Sequence, residues 1–190
     1  MNAITEQDSP KERLLKTVER LFYEQGYQAT GVNQIIAEAQ VCKASFYQHF
    51  PSKEALVLEY IETHHRDFMR RIKQAVAQQS KSSEKLLTLF DFLEVNNESW
   101  GGCTFINMAA EFAHPHSQPR QLIARCKSEL RDYIEQLVRA CLPANTPKET
   151  VKLKATAVYL LLEAAMMESR IHHDSWPVRD GQEVVRQMLN

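Results

Sequence analysis

Apolar residues along this chain recur three and four positions apart, and no window alternates apolar with polar residues as a half-buried strand would. That periodicity predicts an all-α fold. Leu14, Leu15, Val18, Leu21 and Phe22 form one such face, and Val57, Ile61, Phe68, Ile72 and Val76 form another. Helix starts are legible too. Ser9-Pro10-Lys11-Glu12 supplies a cap, a proline at the first helical position and a glutamate at the third, and Thr146-Pro147-Lys148-Glu149 repeats the pattern. All five glycines (Gly26, Gly31, Gly101, Gly102 and Gly181) read as helix stops. These signals predict nine helices, at about 10–25, 32–39, 43–49, 53–79, 84–97, 104–113, 118–141, 147–171 and 178–189. The expected division is a small domain over 1–52 and a larger one over 53–190.

The net charge of −1 gives no global basic signature, and the first 52 residues carry five Lys or Arg against six Asp or Glu. DNA binding therefore has to be read from a motif and not from charge. The four cysteines form no CxxC pair, so free thiols in a reducing cytoplasm are expected. The longest apolar stretch, Ala155–Met167, is too short to cross a bilayer and contains Thr156 and Glu163. The sequence holds no Gly-rich phosphate loop, no HExxH and no nucleophile elbow, so neither an enzyme nor a cofactor is expected. His114, His116, His172 and His173 read as surface histidines near helix ends, and no metal site is expected.

Two predicted short helices, 32–39 and 43–49, are joined by the tight turn Gln40-Val41-Cys42, which is the layout of a helix-turn-helix. The second helix of such a unit can enter a major groove. Here it buries Phe46 and Phe50 and offers Lys43, Ala44, Ser45, Tyr47, Gln48 and His49 on its other face. These are phosphate donors, base-edge donors and one small residue that permits close approach. Lys53 stands at the next helix start, where its ammonium and the helix dipole could meet one phosphate.

Residues 14–61, LLKTVERLFYEQGYQATGVNQIIAEAQVCKASFYQHFPSKEALVLEYI, resemble the N-terminal domain of TetR-family regulators. The matching pieces are Phe22, Gly26-Tyr27 and Thr30; then Ile35-Ile36-Ala37; then Phe46-Tyr47, Phe50 and Ser52-Lys53-Glu54-Ala55-Leu56. The resemblance implies a homodimeric repressor in the cytoplasm, bound to double-stranded operator DNA until a small-molecule effector releases it. It implies phosphate contacts from Thr30, Tyr47 and Lys53, a recognition helix carrying Lys43, Ser45, Gln48 and His49, and a base-reading position at Asn33. The sequence departs from the family pattern at Gln40, where glycine is usual, and at Cys42, where Ser or Thr usually caps the recognition helix. A left-handed Gln40 would cost roughly 1 kcal/mol.

The larger domain is expected to dimerise and to sense a signal. The helix containing Ala155–Met167 is apolar nearly all round and must be covered on more than one side. Its outer residues Leu153, Ala157, Leu160 and Ala164, with the helix 118–141, are expected to meet a symmetry mate. Trp100, Phe105, Met108, Phe112, Tyr133, Tyr159 and Met166 are candidates to line an apolar effector pocket. Gly101-Gly102-Cys103 resembles a Gly-Cys-x-x-x-Asn stretch of a TetR subgroup in which some relatives sense electrophiles or oxidants through cysteine. That resemblance adds Cys103 to the sensor candidates, with Cys42 as a competitor.

Overall fold

The computed structural model describes Thr5 and residues 7–96, 103–112, 114 and 116–189. The described residues form nine helices and no strand: α1 Pro10–Glu24, α2 Val32–Glu38, α3 Lys43–His49, α4 Lys53–Ala77, α5 Ser82–Asn96, α6 Thr104–Glu111, α7 Gln118–Cys141, α8 Lys148–His172 and α9 Trp176–Leu189. Gly101, Gly102 and the pocket candidate Trp100 lie outside the described residues.

Two compact units emerge from the packing. Residues 1–65 group with 104–124, and residues 66–103 group with 125–190. The unit holding the helix-turn-helix thus takes in more chain than 1–52. It adds the first half of α4, all of α6 and the start of α7, because their apolar faces are buried within it.

In the first unit α1 packs on α2 and α3. Leu14, Val18, Leu21 and Phe22 from α1, Ile35 and Ala39 from the α2 end, and Phe46 and Phe50 around α3 are all buried. Ser9 caps α1 as its sequence promised, with reciprocal bonds between Ser9 and Glu12. The second proline pattern behaves differently. Helix α8 starts one residue later than the Ser9 pattern would place it, Pro147 takes the cap position, and no side chain caps it. The reason is local, since the Thr146 amide donates to the Pro143 carbonyl and is held in the preceding turn.

The second unit is built around α9, which packs on both α5 and α8. Its core joins Ile72 and Val76 of α4, Leu86, Leu89 and Phe90 of α5, Leu130, Ile134 and Val138 of α7, Val158 and Leu162 of α8, and Val178 and Val185 of α9. Gly181 is not a helix stop. It lies inside α9 and is buried, and a Cβ there would come within 3.1 Å of the Phe90 ring. The glycine is needed for close helix approach rather than for a turn.

Candidate nucleic-acid interface

The turn between α2 and α3 is tight because Gln40 takes φ 53, the left-handed conformation that glycine adopts most easily. The Val41 amide closes it on the Ile36 carbonyl (3.2 Å). Cys42 then holds the N-cap position of α3 through its backbone alone, and its side chain is exposed. Phe46 and Phe50, 6.3 Å apart by ring centroid, anchor α3 from below. Tyr47 packs edge-on against Phe46 (5.1 Å) yet stays 48% exposed.

The opposite face of α3 is open. Lys43, Ala44, Gln48 and His49 are exposed and Ser45 is half-buried. Among the described residues, neither Lys43 nor Gln48 has a hydrogen-bond or ion-pair partner. Three of the four basic residues of α1 are already committed. Arg20 bonds Glu24 at 2.9 Å and also pairs with Glu38, Lys16 pairs with Asp8 at 2.8 Å, and Lys11 pairs with Glu59 at 2.8 Å. The pairing with Glu38 across to α2 is the main reason the Arg20 pKa rises and the Glu38 pKa falls from their ordinary values. Lys43 and Lys53 keep their charge available to an external anion.

Lys53, the first residue of α4, is half-buried. Its Nζ donates to the Tyr27 carbonyl (2.6 Å) and sits 4.0 Å from the Tyr27 ring centroid. Burial lowers the Lys53 ammonium from its ordinary value, and the Glu111 carboxylate partly offsets that. Asn33, in the first turn of α2, is exposed. Thr30 is placed differently from the other expected contacts. It is fully buried, its Oγ1 donates to the Gly26 carbonyl (2.6 Å), and it accepts from Gln25 Nε2 (3.1 Å). Its hydroxyl holds the loop between α1 and α2 together.

That loop has a second clamp that the sequence did not announce. Gly26 takes φ +85, and the following Tyr27 and Gln28 amides both donate to the Glu111 carboxylate at the end of α6 (3.0 and 2.8 Å). Gln28 Nε2 also donates to the Glu111 carbonyl (3.1 Å), and Phe112 packs on the Tyr27 ring at 4.9 Å.

The pocket candidates separate. Phe105, Met108 and Phe112 are buried in the first unit, with Phe105 against His64 (5.6 Å) and His65 (6.2 Å). Cys103, Tyr133, Tyr159 and Met166 belong to the second unit. Tyr133 lies under Lys73 Nζ (5.5 Å), and Met166 packs against the core. Cys103 is buried, and Lys127 Nζ of α7 donates to its sulfur at 2.9 Å. The same ammonium bonds both Glu163 oxygens of α8 (2.7 and 2.6 Å). Burial works against the Lys127 charge, but the Cys103 sulfur and the Glu163 carboxylate outweigh it, and its pKa rises. Burial also raises the neighbouring Tyr159 hydroxyl, with Glu163 adding to the effect. Neither Lys127 nor Glu163 was among the expected site residues. The signal available was a glutamate inside an apolar helical run, which calls for a buried partner.

A helix-turn-helix with an open, polar face on its second helix, in a chain that also holds a second helical unit, is the layout of a DNA-binding transcriptional regulator. The family model for bacterial regulatory proteins of the tetR family matches residues 14–60, and the model for the tetracyclin repressor-like C-terminal domain matches 84–185. The chain belongs to the TetR family of transcriptional regulators. It is 28% identical over 183 residues to the HTH-type transcriptional regulator YxaF of Bacillus subtilis, covering 92% of each chain. It is 31% identical over 117 residues to the transcriptional repressor NemR of Escherichia coli strain K12, covering 58% of this chain and 57% of NemR. A TetR-family regulator from Streptomyces coelicolor shares the fold with a TM-score of 0.85 at 23% identity, over 95% of this chain and 94% of that one. The reduced form of E. coli NemR shares it with a TM-score of 0.79 at 21% identity, over 94% and 96%. Among the described residues, no helix is long and apolar enough to cross a membrane.

Proposed function

We propose that this regulator is a homodimeric repressor that reads a palindromic operator through α3 and lets go when a small molecule binds its C-terminal part. The observation that carries the DNA-reading role is the face of α3, where Lys43 and Gln48 stand exposed and uncommitted above the buried Phe46 and Phe50. In this reading Lys43, Ser45, Gln48 and His49 face base edges, with Ala44 allowing close approach and Asn33 adding a contact from α2. Tyr47 and Lys53 hold phosphates, and Thr30 acts by shaping the loop.

The repressor assignment is supported by the likeness to NemR, itself a repressor. For the dimer, α8 offers Leu153 (71% exposed) and Leu160 (58%), with Ala157 and Ala164 between and beyond them. Helix α9 adds exposed Trp176 and Val184. The partner helix expected from sequence was α7, but its Leu130, Ile134, Leu137 and Val138 are buried in their own unit, while Arg131, Asp132 and Glu135 face outward. We therefore assign the isologous interface to α8 with α9.

The test is operator binding after genomic footprinting has supplied a bound site. Lys53→Ala should weaken binding to all sequences alike and flatten the salt dependence by about one phosphate contact. Gln48→Ala and Lys43→Ala should instead relax base preference, each by about 1–3 kcal/mol where a bidentate contact is lost. A change of sequence preference in Lys53→Ala alone, or an asymmetric site held by one subunit, would refute the assignment.

A second reading, release by chemical modification of Cys103, is favoured by the Lys127 Nζ 2.9 Å from its sulfur. An adduct there would crowd the Lys127–Glu163 pair. With a quinone as reagent, the sulfur adds to a ring carbon and the thiol proton ends on the quinone oxygen. Operator affinity should then fall in wild type and in Cys42→Ser but hold in Cys103→Ser. Unchanged affinity in treated wild type would leave the reversible effector as the sole reading.

A further inference from the structure

We propose that Glu111 is a positioning residue for DNA binding, acting through the Tyr27–Gln28 peptide to hold Lys53 where it meets a phosphate. This rests on the phosphate role of Lys53 given above. The geometry is a relay through one peptide group. Its N–H, on Gln28, donates to the Glu111 carboxylate (2.8 Å), and its C=O, on Tyr27, accepts from Lys53 Nζ (2.6 Å). A carboxylate on the N–H side polarises the amide and makes its carbonyl a stronger acceptor, so the two bonds reinforce each other. The Tyr27 amide adds a second bond to Glu111 (3.0 Å).

The ring of Tyr27 is gripped in the same way. Phe112 packs on it at 4.9 Å, and the Lys53 ammonium sits 4.0 Å from its centroid. An ammonium has three donors, and the Tyr27 carbonyl takes one of them. The others remain for a phosphate oxygen. A four-carbon stem that would otherwise sample many rotamers is thus oriented before DNA arrives. Glu111 itself is half-buried at the end of α6, and both of its oxygens are committed to the loop. The φ of +85 at Gly26 aims the two amides at it.

The test is a double-mutant cycle on operator affinity with Glu111→Gln, Lys53→Ala and the pair, measured well below the melting temperature of each dimer. A glutamine carbonyl can accept only in part where the carboxylate accepted two amides. Glu111→Gln is expected to weaken operator binding on the order of tenfold and to flatten the salt slope by up to one phosphate contact. In the Lys53→Ala background the same substitution should have almost no further effect. A role in folding alone would scale affinity by the folded fraction and leave the slope unchanged. Should Glu111→Gln fail to fold, Glu111→Asp, one methylene short of the amide pair, carries the same expectation. Additive losses in the cycle, or an unchanged salt slope, overturn the positioning role while leaving Lys53 on its phosphate. A Lys53→Ala protein with wild-type affinity and slope overturns the Lys53 assignment, and the Glu111 proposal falls with it.

Discussion

Replacing Lys127 by alanine should destabilise the C-terminal unit by about 3 kcal/mol, the lower part of the range for breaking a buried ion pair. The cost arises less from the bonds lost than from what stays behind. Glu163 has a side chain only 11% exposed, and Lys127 is its partner through both oxygens. Without that ammonium the carboxylate is left with no counter-charge, which is costly inside a helical core. Urea unfolding should show the loss as a lower midpoint with little change in slope. The double variant Lys127→Met with Glu163→Leu should recover most of it, because apolar side chains of similar volume avoid the desolvation cost altogether. The effect should be flat through neutral pH. The Lys127 pKa lies above the ordinary lysine value of 10.5, so its contribution is complete below that value and is lost only as pH rises through the raised one. A loss under about 1 kcal/mol for Lys127→Ala would show that the pair is solvated in solution.

Gly26→Ala should cost about 3 kcal/mol in the DNA-binding unit, from two sources of comparable size. An alanine at φ +85 carries the left-handed strain of roughly 1–2 kcal/mol. Its Cβ would also lie 2.7 Å from Glu111 Oε1, closer than non-bonded atoms approach, so the carboxylate must shift and its bonds to the Tyr27 and Gln28 amides weaken. Bonds to a charged acceptor contribute about 1.5–3 kcal/mol each when intact and less at an exposed site. The two sources separate by experiment. Adding Glu111→Ala to Gly26→Ala removes the clash but not the strain, so the pair should be less destabilised than the sum of the singles. Strict additivity in thermal melts would mean that the carboxylate and the glycine do not meet.

Much of the fold was legible because it rests on local physics. Helices α3 and α7 begin and end at the residues expected from the sequence. Phe46 and Phe50 were readable as buried because their spacing puts them on one side of a short helix, and Lys43 and Gln48 as exposed for the same reason. The left-handed turn at Gln40 was foreshadowed by the family resemblance, in which glycine is usual at that position. Local reading failed where a distant residue decides. Gly181 looks like a stop until Phe90, on another helix, occupies the space a side chain would need. Thr146 looks like a cap until the preceding turn takes its amide.

The sequence by itself determined the helical period, the recognition helix and the face it presents, since each depends on residues within a few positions of one another. The tertiary structure alone decided which charges are spent and which are free. Glu111 reaches the Tyr27 and Gln28 amides from more than eighty residues away, and Lys127 meets Glu163 across 36. It also decided that Thr30 turns its hydroxyl inward and that α8 leaves Leu153 and Leu160 exposed. Such pairings carry no sequence period, because an ion pair or a carboxylate clamp needs only two groups within hydrogen-bond reach, and chain topology alone brings them there.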